Sequence, residues 1–187
     1  MKVLANDGIS KSGVDILKKN GFLVYLDKIK QDDLEDFINS EKITILLVRS
    51  ATQVRKNLID NCKSLKIIGR GGVGMDNIDV EYAKSNNILV INTPSASSNS
   101  VAELVFAHLF SGSRFLYDSN RNMPLEGETN FKGLKKNYSE GIELKNKNLG
   151  IIGLGKIGLE VAKIGFGLGM NIFGFDKFKT EKKLDLK

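Results

Sequence analysis

LGIIGLGKIGLEVAKIGFGLGMNIFGFD, residues 149–176, is the stretch whose reading decides the fold. Leu149 to Ile152 reads as a short buried strand, and Gly153, Gly155 and Gly158 as a turn. An amphipathic helix follows, and then a second strand, Asn171 to Phe175, ends on Asp176. The three glycines serve different ends. Gly153 allows the tight turn, Gly155 lets backbone approach a pyrophosphate, and Gly158 lets the helix pack closely on the strand. The helix start offers unpaired N–H groups and a positive dipole end to phosphates. Asp176 is placed to accept hydrogen bonds from a ribose 2′-OH. In a chain with 19 glycines a turn of this composition can also bind nothing, but here the flanking strands, helix and acid are all present. The stretch therefore predicts a dinucleotide site. A 2′-phosphate beside Asp176 would meet a repulsion of about 4 kcal/mol per pair of unit charges at ~4 Å and an effective dielectric of ~20. That favours NAD over NADP, a preference softened by Lys177 and Lys179.

Working outward to the N-terminus, strands are predicted at Lys2–Ala5, Phe22–Leu26, Thr44–Val48, Lys66–Ile68 and Leu89–Ile91. Their alternation with helical patterns argues for a parallel α/β sheet. Ser10 or Ser12 can cap the first helix, which stops at Asn20 and Gly21. In QDDLEDFINS, Leu34, Phe37 and Ile38 share one face, and further helices are expected over Lys56–Cys62 and Val80–Ser85. This makes a first domain over 1–95 and a second over 96–187.

NTPSASSNS, residues 92–100, has the composition of a crossing between domains. Ser98, Asn99 or Ser100 can then cap one long helix, 98–122. Its Leu104, Val105, Ala107, Leu109 and Phe110 predict burial on more than one side, against a second subunit. Met123–Asn148 is polar and reads as a loop. The sequence ends at Lys187, soon after Asp176, so only the first β–α–β of a nucleotide-binding sheet is present. The strand at Leu149 would lack neighbours on one side, and the expectation is the front portion of a longer protein.

Composition narrows the class. The chain has 187 residues, 41% of them hydrophobic, which suits a folded protein. The net charge of +6 comes mainly from scattered lysines, without a basic run interleaved with aromatics, so no nucleic-acid partner is expected. Cys62 is the sole cysteine and reads as inert packing, which excludes an intrachain disulfide and suits a reducing compartment. No apolar stretch is long enough for a membrane span. The expected location is cytoplasmic, with no membrane partner and no metal.

Two loops at strand ends make a second constellation. In LLVRSAT, Arg49 and Ser50 stand just beyond a buried strand. In IIGRGGVGMDNID, Gly69, Gly71, Gly72 and Gly74 surround Arg70 and Val73 and can present N–H groups to one anion. With Arg49 as the charged clamp, the pair suits a carboxylate and a phosphate.

VRSAT, GRGGVGMDNID, INTP, SVAEL and LGIIGLGKIG, in this order, resemble the D-2-hydroxyacid dehydrogenase family over essentially the whole chain. The resemblance implies a flavodoxin-like substrate or lid domain followed by an incomplete Rossmann dinucleotide-binding domain, and NAD-dependent oxidation of a D-2-hydroxy acid. It assigns Arg49, Ser50, Gly72, Val73 and Gly74 to substrate. Gly153, Gly155, Lys156, Ile157, Gly158 and Asp176 fall to the cofactor, Lys156 keeping the charge of the family's usual arginine without its fork. The family's catalytic Arg, Glu and His have no counterpart in these residues, so the chain alone is expected to be inactive. His108, the only histidine, lies in VFAHLF and reads as a packing residue, as does Arg114. A non-catalytic NAD-binding regulatory module of the same fold is the competing reading.

Overall fold

The computed structural model describes residues 1–178. The chain divides into two compact units, Met1–Ala96 and a second from Ser97 onward.

The first unit runs β1 (Lys2–Ala5), α1 (Lys11–Lys19), β2 (Leu23–Tyr25), a 3₁₀ turn (Gln31–Asp33) leading into α2 (Leu34–Glu41), β3 (Ile45–Val48), α3 (Lys56–Asn61), β4 (Ile67–Arg70), α4 (Val80–Ser85) and β5 (Leu89–Asn92). All five strands pair in parallel in the order β2-β1-β3-β4-β5, the flavodoxin-like doubly wound arrangement. Register places Leu4, Leu46, Ile68 and Val90 side by side on one face, where the first three are fully buried. Leu34 and Ile38 of α2 and Leu58 and Ile59 of α3 close the same core, with Phe37 packed partly against it. Ser10 is the cap of α1, its hydroxyl accepting from Gly13 N–H at 3.2 Å. Cys62 is fully buried in this core, and burial, with Glu35 nearby, pushes its thiol up to about 11.

The strand after Cys62 departs from expectation. It runs to Arg70, so Gly69 pairs with Leu47 and Ile91 inside the sheet and does not belong to the glycine loop. The extension is possible because Gly69 has no side chain to meet Leu47, whose Cδ2 would lie 2.7 Å from a Cβ there.

The second unit contains α5 (Ser98–Ser113), α6 (Leu116–Tyr138), β6 (Asn148–Ile152), α7 (Lys156–Gly167) and β7 (Asn171–Phe175). β6 and β7 pair in parallel, and among the described residues β6 has no second partner. Ala102 and Phe106 of α5 pack with Val161 and Ala162 of α7 and with Ile151.

The single helix expected over 98–122 is two helices. Phe115 takes a left-handed φ of 54° and ends α5, and α6 then continues through the segment read as a loop. Pro124 and Gly127 obscured α6 in the sequence, the helix kinks at Asn130, and Leu134 is its only buried residue, so it carries almost no apolar stripe. The helix start also differs: Ser97 is the cap, without a side-chain bond, Ser98 is buried, and Asn99 donates to Glu103 instead. Burial of α5 on more than one side is not seen within the chain, since Leu104, Val105 and Phe110 are exposed and only Ala102 and Phe106 of its apolar residues are buried.

The core assignment predicts that Leu46→Ala lowers the unfolding free energy of the first unit by about 2–5 kcal/mol, while Ile16→Ala on the open side of α1 changes it by less than about 0.5 kcal/mol. Urea unfolding of the two variants checks the contrast.

Candidate functional site

In the first unit the site grows from the C-terminal ends of β1, β3, β4 and β5, where open parallel sheets bind ligands. Asp7 stands two residues past the end of β1, with a side chain only 4% exposed. Its carboxylate accepts from Arg49 N–H at 2.7 Å, from Thr52 N–H at 3.1 Å and from the Thr52 hydroxyl at 2.8 Å, and it pairs with Lys28. Burial alone would raise its pKa, but Lys28 and these donors outweigh burial and hold it at about 2, below the ordinary 3.8.

Asn77, fully buried, holds the same loop from the other edge. Its amide donates to the carbonyls of Arg49 at 2.8 Å and Thr52 at 2.7 Å, while its oxygen accepts from Arg70 Nε at 3.0 Å. Asn6 completes the set by donating to the Thr52 hydroxyl at 2.9 Å. Every hydrogen-bonding group of Asn77's side chain is therefore used, and the two loops are tied to one another through it.

What this leaves open is specific. The Arg49 guanidinium, the Ser50 hydroxyl and the Ser50 N–H have no hydrogen-bond partner among the described residues. In the second loop Gly71 N–H goes to Val48 and Gly72 N–H to Arg70, whereas the Val73 and Gly74 N–H groups have none. The Arg49 stem lies across Gly71, with a Cβ there 3.5 Å from Arg49 Cγ. The Arg70 guanidinium fills the space a side chain at Gly72 would need. The guanidinium, the hydroxyl and these N–H groups can all donate, so the arrangement suits an anion. A groove of roughly 650 Å³ runs past Arg49, Arg70, Gly71 and Asn92 onto apolar Leu47 and Ile91. Ser50, Gly72, Val73 and Gly74 do not line it, so the hollow lies beside these four residues.

In the second unit Gly153 has φ 95°, which β-carbon-bearing residues rarely adopt, and a Cβ on Gly158 would collide with the Gly153 carbonyl. Gly155, the cap of α7, faces open space. The first intrahelical bond is Leu159 N–H to Gly155, which leaves the Lys156, Ile157 and Gly158 N–H groups without an intrahelical acceptor. Asp176 accepts from Leu154 N–H at 2.7 Å and from Phe178 N–H at 2.9 Å, so the acid braces the glycine turn. Lys177 is exposed beside it, and Lys179 lies outside the described residues.

His108 does not pack as expected: it is exposed on α5. Arg114 caps that helix and lies against Gly141. The sequence reading passed over Asp7, Asn77 and Asn92. The signal for Asp7 was available, an acid just past an apolar strand that points to a sheet's ligand-binding end. For the two asparagines there was none, because their partners are backbone atoms of other loops.

A strand–glycine turn–helix–strand ending on an acid, carried after a parallel α/β unit, is the construction of Rossmann-type nucleotide-binding chains. Comparison with known proteins narrows this. The family described as D-isomer specific 2-hydroxyacid dehydrogenase, catalytic domain, matches residues 3–184. The D-3-phosphoglycerate dehydrogenase of Methanocaldococcus jannaschii is 38% identical over 95% of this chain and 32% of its own length. The hydroxypyruvate reductase of Thermotoga maritima is 39% identical over 100% of this chain and 58% of its own. The NAD⁺-bound 3-phosphoglycerate dehydrogenase of Entamoeba histolytica superposes with a TM-score of 0.73 at 33% identity, covering 97% of this chain and 56% of that one. The chain belongs to the D-isomer specific 2-hydroxyacid dehydrogenase family, and it spans 32% to 58% of the length of these relatives.

Asp7 gives a test of the loop anchor. Asp7→Asn lowers the unfolding free energy by about 2 kcal/mol at neutral pH. Because the folded pKa is depressed, this contribution is complete above the ordinary 3.8 and is lost as pH falls through about 2. Urea titrations of wild type and variant should therefore differ at neutral pH and converge toward pH 2.

Proposed function

We propose that this chain supplies the substrate loops and the first half of the cofactor site of an NAD-dependent D-2-hydroxyacid dehydrogenase. Its reaction is the oxidation of 3-phosphoglycerate to 3-phosphohydroxypyruvate, which places it in serine biosynthesis. The single observation carrying this is the set of open donors on two mutually tied loops: the Arg49 guanidinium, the Ser50 hydroxyl and the N–H groups of Val73 and Gly74. Such a set recognises a small acid with two anionic groups, and the phosphoglycerate enzymes among the relatives at 38% and 37% identity support the choice of substrate.

NAD fits the second unit. The α7 N-terminus would take the pyrophosphate on the Lys156 and Ile157 N–H groups, Gly155 leaves room for it, and Asp176 would take the ribose hydroxyls. When bound, NAD supplies the hydride acceptor. This chain's own residues bind and orient the acid, and His108, the one histidine, is exposed on α5 and belongs to neither substrate loop. The 187-residue chain alone is thus expected to bind NADH without turnover.

The exposed Leu104, Val105 and Phe110 of α5 support a homodimer through the 98–122 segment. Sedimentation equilibrium should show the dimer, and a monomer at every concentration contradicts it.

The experiment for the reaction follows NADH absorbance with the full-length gene product and 3-phosphoglycerate, with D-lactate and D-glycerate as competitors. Turnover of 3-phosphoglycerate at the highest kcat/KM is expected; NADH binding without response to any hydroxy acid favours the regulatory reading. For the cofactor, Asp176→Ser should narrow the preference for NAD over NADP at least about tenfold, read from the two dissociation constants.

A further inference from the structure

The open N–H groups of the glycine loop point where they do because something else holds the opposite edge of their peptides. Val73 C=O accepts from the Asn92 amide at 2.7 Å, and Gly72 C=O accepts from Thr93 N–H at 3.1 Å. A trans peptide sets its C=O and the following N–H on opposite edges, and the described chain has no cis bonds. Fixing the Gly72 and Val73 carbonyls toward the end of β5 therefore turns the Val73 and Gly74 N–H groups away from β5. Sheet order β3-β4-β5 puts the Arg49 loop, which follows β3, on that other side.

Asn77 does the same on the Arg49 loop. It takes Arg49 C=O, so the Ser50 N–H is turned away from the buried side, and Asp7 takes Arg49 N–H, which fixes the preceding peptide as well. The Arg70 bond to Asn77 Oδ1 fixes which way that amide faces. Two asparagine amides thus occupy equivalent places, each on a carbonyl one residue before an open N–H.

We propose that Asn92 and Asn77 are positioning residues: through the Val73 and Arg49 carbonyls they aim the Gly74 and Ser50 N–H groups at the substrate's anionic oxygens. This rests on the reading of these loops as the hydroxy-acid site. Asn92 is the better test, since it is half-exposed at a strand end and its loss leaves the core intact. Asp at 92 keeps the shape, removes both donors and sets a carboxylate oxygen against Val73 C=O, which forces that peptide to turn.

The test uses the full-length gene product and its Asn92→Asp variant. The variant should raise the KM for 3-phosphoglycerate at least about tenfold, the cost of one lost bond to a charged acceptor. NADH affinity and Tm should stay at wild-type values, and the variant's crystal structure should show the Val73 carbonyl rotated off residue 92. An unchanged KM, an equal loss of NADH affinity, or a Val73 carbonyl left in place overturns the inference. If the wild type turns over no hydroxy acid, the functional reading falls by itself. The crystal structure of the variant then decides the peptide orientation, a turned carbonyl supporting the inference and an unmoved one overturning it.

Discussion

A peptide cannot show its carbonyl and the next N–H to the same side, so whichever group is tied down decides where the other points. Both loops of the first unit depend on that constraint. Asp7 collects N–H groups and Asn77 collects carbonyls of the same two residues, Arg49 and Thr52, leaving the loop no slack. Asn92 and Thr93 do likewise for Gly72 and Val73. The open groups are the remainder once the sheet and three side chains have taken their share.

The same logic runs through the nucleotide unit with different means. Helix geometry leaves the first N–H groups of α7 unpaired, and Gly158 lets the helix start lie against the Gly153 carbonyl with no Cβ between. Asp176 then ties Leu154 N–H, in the middle of the turn, to the end of β7. The acid that would recognise a ribose is therefore also a brace for the pyrophosphate turn, and losing it affects both. Donors collect at both sites where anions would bind, with Asp7 and Asp176 as the acids that hold the turns, while the overall +6 is spread across the surface.

Much of the fold was legible because it is built from local signals. Apolar runs of strand length marked the seven strands of the described residues to within about two residues, which is the ordinary uncertainty at element ends. The glycine turn carried its own context in Ile151, Gly158 and Asp176. Helix α6 was not legible, because its residues meet few others and Pro124 and Gly127 argue locally against a helix. Phe115 hid the break, since nothing in a phenylalanine announces a left-handed φ. At the site, Arg49 and the glycines could be read from composition at strand ends. Asp7 was legible only as an acid just past an apolar strand, and Asn77 and Asn92 could not be assigned roles, because the carbonyls they hold belong to other loops and carry no residue identity.

The central claim is that the turn at Gly153–Gly158 holds a dinucleotide, and the most direct measurement is a crystal structure of the full-length gene product grown with NADH. The account predicts the pyrophosphate oxygens within hydrogen-bond distance of the Lys156 and Ile157 N–H groups and the adenine ribose hydroxyls on the Asp176 carboxylate. A dinucleotide bound elsewhere, or a pyrophosphate that does not touch the start of α7, would contradict it.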